Sequence, residues 1–193
     1  MGLIHIEMFA TLDLVGQAPG GPDEDPVGFP FGGWQAPLMD EVSGAQAGAA
    51  YEDTDALLLG RRTYDLFAAY WPHQEGGQDN KIAALFNSVP KYVVSRTLKR
   101  ADWNNSTIIR EDVVAAVTEL KQQDGSDLMM YGYGRLNQTL LEHHLVDEIR
   151  FSAHPGLAAG RAAGGGQTLP LKLLAATPSP NGVVALTYEP TSS

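Results

Sequence analysis

Three short polar stretches each follow an apolar run. Gly60-Arg61-Arg62-Thr63 follows Ala56–Leu59, Ser95-Arg96-Thr97 follows Lys91–Val94, and Gly132-Tyr133-Gly134-Arg135 follows Leu128–Tyr131. Short continuous apolar runs read as strands buried on both faces. A glycine turn that opens a helix presents free backbone N–H groups and the positive end of a helix dipole, and both attract phosphate. Guanidinium groups add bidentate hydrogen bonds to the same oxygens. A lone Gly-x-Gly is weak, since it is usually only a tight turn. Three such junctions carrying Arg61, Arg62, Arg96 and Arg135 are much more specific. If the strands are parallel neighbours, the turns meet at one sheet edge. They would then suit a dinucleotide pyrophosphate, with arginine available for a ribose 2′-phosphate.

Other chemistry is sparse. The chain has no cysteine, which excludes disulfides, thiolate catalysis and Cys-ligated zinc. His143 and His144 are adjacent and cannot form the i, i+4 metal pair, so no metal is expected. His5 reads as a hydrogen-bonded strand residue and His154 as structural. Asp13 and Asp40 are the candidate catalytic acids, each either a proton donor, a substrate anchor or simply a turn or cap carboxylate.

Composition narrows the partners. Of 193 residues, 44% are hydrophobic and 19% charged, as expected of a globular protein with enough chain for one substantial core. We therefore expect one domain over 1–193. No apolar run has transmembrane length and no basic-then-apolar leader is visible, which predicts a cytoplasmic protein without a membrane partner. The formal net charge is −10, a poor match to nucleic acid. Residues 1–59 contain ten acids and no Lys or Arg, whereas residues 60–193 contain thirteen of each sign. A local basic patch in such a chain suits one small polyanion.

The elements that must position these groups can be read in order. Leu3 to Phe9 alternates as a first strand. Gly16 to Pro37 is a Gly/Pro-rich loop ending at Gly32-Gly33-Trp34; a loop of that length is usually a lid or binding loop. Pro37 to Tyr51 reads as a helix with Pro near its start. A strand at 56–59 runs into a helix opened by Gly60, with Thr63 in its first turn. Residues 71–82 read as polar loop, and Lys91 to Ser95 as a strand. Ile108-Ile109 mark another strand and Asp112 to Gln123 a helix. Leu128 to Tyr131, a helix through Leu136–Leu145 and a strand at Ile149–Ala153 complete the middle. Leu171 to Ala176 and Val183 to Tyr188 predict a terminal hairpin. The pattern gives an α/β fold in three layers: a mixed, mostly parallel sheet flanked by helices, with a C-terminal antiparallel hairpin.

Several pieces recur in a known order: Thr11-Leu12-Asp13, Gly32-Gly33-Trp34, Leu58-Leu59-Gly60-Arg61-Arg62-Thr63-Tyr64, Val93-Val94-Ser95-Arg96-Thr97-Leu98, the Gly-x-Gly-x-Leu of 132–136, and Leu145-Val146-Asp147-Glu148-Ile149 with His154-Pro155. Together they resemble the dihydrofolate reductase-like superfamily, in particular the branch that includes the reductase domain of riboflavin biosynthesis. The resemblance implies NADPH as cofactor and hydride transfer to a small heterocycle. It implies that Gly60, Arg61, Arg62 and Thr63 hold the pyrophosphate and adenosine side, that Ser95 and Arg96 meet the 2′-phosphate, and that Gly132, Tyr133, Gly134 and Arg135 line the pyrophosphate. The nicotinamide would lie near Ala10 at the end of strand one, and the substrate near Trp34 and Met39. The resemblance also implies a homodimer.

Departures matter. In dihydrofolate reductases a carboxylate stands two residues after the proline of a Trp-x-x-Pro stretch. Here Met39 takes that place and Asp40 follows it. The branch usually has Gly after Leu-Asp, where this chain has Leu14. A cofactor-binding protein of the same fold without turnover is the alternative reading.

Overall fold

The computed structural model describes residues 2–25, 28–39, 48, 51, 53–74, 80–123, 127–158 and 170–191. Eight strands form one sheet: β1 (Ile4–Thr11), β2 (Ala56–Gly60), β3 (Lys91–Val94), β4 (Ser106–Ile109), β5 (Leu128–Tyr131), β6 (Glu148–His154), β7 (Leu171–Pro178) and β8 (Val184–Pro190). Their order is β4-β3-β2-β5-β1-β6-β8-β7. Every pair from β4 to β6 is parallel, whereas β6–β8 and β8–β7 are antiparallel. The expected mixed sheet with a terminal hairpin is what forms.

Four helices pack on the sheet among the described residues: α1 (Arg61–Tyr70), α2 (Asn80–Ser88), α3 (Val113–Gln122) and α4 (Arg135–Glu142). Strand alternation decides which helix meets which side chain. Ile4, Ile6, Leu58, Leu128, Met130 and Ile149 point to the face covered by Val117 and Leu120 of α3 and Leu140 of α4. Leu57, Leu59, Val93 and Met129 point to the other face, where Tyr64 and Phe67 of α1 and Phe86 of α2 cover them. Leu57, Leu58 and Leu59 are all buried because β2 lies inside a sheet covered on both sides.

The boundaries differ from expectation in three places. β1 runs on to Thr11, beyond Phe9, because Thr11 pairs with His154 of β6. The helix expected over Pro37 to Tyr51 is replaced at its start by a 3-10 turn, Ala36–Leu38, whereas Gly48 and Tyr51 near its far end are helical. Met39 is already extended, so no continuous helix passes through it. Asp40 lies outside the described residues. Finally, the supposed loop 71–82 contains a 3-10 turn at Trp71–His73 and the start of α2. Ile82, Ala83, Leu85 and Phe86 form the stripe that holds α2 on the sheet.

Candidate active site

The three polar junctions converge. β3, β2 and β5 are adjacent and parallel, so their carboxyl ends lie side by side. Gly60 pairs with Val94, the last residue of β3. Leu57 pairs with Met129, and the same register carried forward sets Gly60 level with Gly132. α1 leaves Gly60 toward one face of the sheet and α4 leaves Gly134 toward the other. Adjacent strands whose following helices diverge in this way define a switch-point crevice, the place where open α/β sheets bind ligands.

The crevice has room and unfilled donors. A Cβ built at Gly60, Gly132 or Gly134 would meet no atom within 4 Å. Gly132 has φ +72°, the left-handed region that favours glycine. No side chain among the described residues caps α1 at Gly60, and Thr63 does not take that role. At α4 the side chain of Asn137 turns back, accepting from Gly134 N at 3.1 Å and donating to Gly132 O at 3.2 Å. These bonds fix the shape of the Gly132–Gly134 turn. The remaining first-turn N–H groups of both helices are oriented for an anion.

The arginines differ in their engagement. Arg61 pairs with Asp65 one turn along α1 at 2.6 Å, an exposed pair of small energetic weight. Arg62 Nη2 lies 2.9 Å from Oδ1 of Asp25, a buried acid of the Gly/Pro-rich loop. Arg96 and Arg135 are exposed and make no ion pair among the described residues. The Ser95 hydroxyl accepts from the amides of Thr97 (3.3 Å) and Leu98 (3.0 Å), which shapes the turn, and its own O–H has no acceptor among the described residues. Tyr133 lies half-buried in the Gly132–Gly134 turn.

The far end of the edge is built by β1 and β6. Ala10 is fully buried, and Thr11 pairs with His154. Trp34 donates from Nε1 to Gln17 O at 2.9 Å and meets the His154 ring edge-on at 5.2 Å, which brings the end of the long loop onto this edge. Burial holds the His154 imidazole below its ordinary range, and the ring packs against Phe9 and Trp34. Met39 is partly exposed, next to a turn fastened by Asn181 Nδ2 to Leu38 O at 2.7 Å. Asp13 accepts from the Thr11 hydroxyl, and both its oxygens lie 3.2 Å from the Ala158 amide. That pattern is a turn carboxylate. Leu14 beside it has φ +62°, so the position where the related branch carries glycine keeps the glycine conformation.

Two groups escaped the sequence reading. Asp25 was legible only as one of several loop acids. Glu7 was legible as a strand residue, yet it sits 4% exposed on central strand β1, in register with Tyr131 of β5 and Arg150 of β6. Burial raises its carboxyl to about 8. The signal was an acid in the middle of a strand that must be covered on both faces. A separate groove of about 630 Å³ runs between α1 and residues 98–104, lined by Tyr64, Ala68, Leu98 and Trp103 among others. None of the residues expected at the site lines it.

With the fold and edge in place, comparison with known proteins identifies the class. The family model for the RibD C-terminal domain matches residues 3–185, and the chain belongs to that family. The uncharacterized protein YyaP of Bacillus subtilis (strain 168) is 37% identical over 102 residues, a match spanning 52% of this chain and 54% of that protein. Among solved structures, a putative riboflavin biosynthesis protein from Shewanella sp. PV-4 superposes with a TM-score of 0.72 at 18% identity, over 98% of this chain and 99% of the other. A pyrimidine reductase-like protein from Corynebacterium diphtheriae gives 0.64 at 13% identity, over 100% and 93%. Acinetobacter baumannii RibD gives 0.64 at 14% identity, over 100% of this chain and 59% of that one. At such identities these structures establish the shared fold. No helix among the described residues is long and apolar enough to cross a membrane.

Proposed function

We propose that this chain is an NADPH-dependent reductase of a small heterocycle of pterin, pyrimidine or imine type. The observation that carries the reading is the crevice between Gly60 and Gly132, flanked by two glycine-opened helix starts, the one at Gly60 without a side-chain cap, and by Arg61, Arg62, Arg96 and Arg135. The residues fit the cofactor. Gly60, Gly132 and Gly134 leave space for a pyrophosphate against the two helix starts, and Arg96 with the Ser95 hydroxyl suits a 2′-phosphate. Bound NADPH supplies a hydride to an electrophilic carbon. The protein's part is to hold the two reactants together, with Ala10 and Trp34 at the β1–β6 end of the edge, and to deliver a proton. The family and the printed names of the structural relatives, one a riboflavin biosynthesis protein and another pyrimidine reductase-like, support a reductase role. The test is NADPH oxidation, followed optically, across a panel of pterins, pyrimidines and cyclic imines.

One observation favours a second reading, a non-catalytic NADP(H)-binding protein. Asp13 accepts from the Thr11 hydroxyl and meets the Ala158 amide through both oxygens, bonding that suits a turn carboxylate better than a proton donor. NADPH binding without oxidation of any panel compound would select that reading. We also propose a cytoplasmic homodimer. Supporting it, β7 is exposed along its whole length and carries Leu171, Leu173 and Leu174 in the open. Light scattering on the purified protein, with Leu173→Asp as control, tests the pairing.

A further inference from the structure

We propose that Glu7 is the group that protonates the substrate in this crevice. The proposal rests on the reductase reading above and names an acid other than Asp13 and Asp40.

Glu7 stands at the right level of the sheet. Its carbonyl accepts from Gly132 N at 2.9 Å, so it is abreast of the point where β5 ends and the glycine turn begins. β1 runs on past it to Ala10 and Thr11. Its side chain shares a face with Tyr131 on one neighbouring strand and Arg150 on the other. Phe67, Phe86 and Tyr51 surround the Tyr131 ring at 5.1, 5.7 and 6.3 Å. Glu7 Oε1 is buried and finds no hydrogen-bond partner among the described residues. A buried polar atom without a partner costs roughly 1–3 kcal/mol, and an apolar residue there would avoid that cost. Among the described residues the Glu7 carboxyl thus keeps one oxygen open to a bound molecule.

A structural reading, in which Glu7 neutralises Arg150, is weaker. Arg150 already has a carboxylate: its Nε lies 2.6 Å from Glu148 Oε1, whereas Nη1 lies 3.9 Å from Glu7. His5, two residues back on β1, faces the same Glu148 at 3.7 Å and Asp127 at 3.9 Å. Among the described residues, Tyr131 faces Glu7 from one side and Arg150 and Glu148 from the other, with Tyr51 against Tyr131 and His5 against Glu148. Hydrogen bonds and the Arg150 charge hold Glu148 down at about 2, while burial holds Glu7 up at about 8. Two carboxyl groups pushed apart in this way divide the roles: Glu148 keeps the charge and Glu7 keeps the proton.

The step balances. The carbon of a C=N bond gains the hydride, and its nitrogen takes the proton from the Glu7 carboxyl. The π pair becomes the new N–H bond, and NADPH is oxidised to NADP⁺. The Glu7 carboxylate is left beside the Arg150 guanidinium until water returns a proton.

The test uses protein labelled with ¹³C at the glutamate carboxyl, titrated with saturating NADPH and again with saturating NADP⁺. The Glu7 signal is assigned by its loss in Glu7→Gln. The proposal predicts that this signal titrates at lower pH with NADP⁺, whose positive ring favours the carboxylate, and that Glu7→Gln binds NADPH within about twofold of wild type. With 2-methyl-1-pyrroline as probe, Glu7→Gln loses on the order of a hundredfold or more in hydride transfer. A shift of the signal supports the proposal whether or not this imine is reduced. Identical titrations with the two cofactor forms, or a variant that reduces the probe at the wild-type rate, overturn it. Failure of wild type to bind NADPH overturns the functional reading itself, whereas binding with an unresponsive Glu7 signal defeats only the assignment of the acid.

Discussion

Arg62 Nη2 lies 2.9 Å from Asp25 Oδ1, an ion pair that ties the first turn of α1 to the Gly/Pro-rich loop. Asp25 also accepts from Gln17, whose carbonyl receives Trp34 Nε1. The loop's position is thus coupled to an arginine at the cofactor edge. A phosphate at α1 would compete with Asp25 for that guanidinium.

We predict that Asp25→Asn raises NADPH affinity several-fold by releasing Arg62, while costing about 1–2 kcal/mol of stability through weakened bonds to a buried group. Calorimetry and urea unfolding read the two effects. Lower NADPH affinity in this variant would place Arg62 outside the phosphate site.

Leu14 gives a backbone prediction. Its φ of +62° costs a non-glycine residue on the order of 1 kcal/mol, and the side chain is 52% exposed, so little packing is at stake. Leu14→Gly should be neutral or mildly stabilising, whereas Leu14→Val should destabilise by about 1–2 kcal/mol. Thermal unfolding of the two variants checks the contrast.

The stability–pH profile carries a Glu7 signature. Folded Glu7 keeps its proton up to about pH 8, whereas its ordinary value is 4.5. Between these values the folded state binds the extra proton. Stability from this group is therefore full below about 4.5 and is lost as pH rises through about 8. Glu148 has the opposite sign. Held at about 2, it stabilises above 4.5, and that contribution is lost as pH falls through about 2. Urea midpoints measured from mildly acidic to mildly alkaline pH should fall in wild type more steeply than in Glu7→Gln.

Phe86 holds the aromatic layer under α1 and α2. It is 1% exposed and its ring lies 5.0–5.8 Å from those of Tyr51, Phe67, Trp71 and Tyr131. Phe86→Ala should cost about 3–5 kcal/mol, read by urea unfolding.

Much of this arrangement was legible in the chain itself. The runs before Gly60, Ser95 and Gly132 are continuous and apolar because their strands are covered on both faces, so strand type, parallel pairing and the meeting of the turns could all be inferred. The terminal hairpin was equally visible in its Pro-Ser-Pro-Asn-Gly turn. α2 was obscured by the Gly- and Gln-rich segment before it, although the stripe of Ile82, Leu85 and Phe86 was present. The Glu7–Arg150–Glu148 row was not legible, because it exists only once β1 and β6, far apart in sequence, lie in register. The Arg62–Asp25 pair likewise depends on how a loop without repeating pattern folds back.

The most direct measurement is a calorimetric titration of the protein with NADPH and with NADH, repeated on Arg96→Ala. NADPH should bind more tightly than NADH, and Arg96→Ala should lose on the order of tenfold in NADPH affinity while leaving NADH little changed, as expected for a lost charged hydrogen bond to the 2′-phosphate. NADPH that gives no heat beyond dilution into buffer would contradict the dinucleotide site at the Gly60–Gly132 crevice.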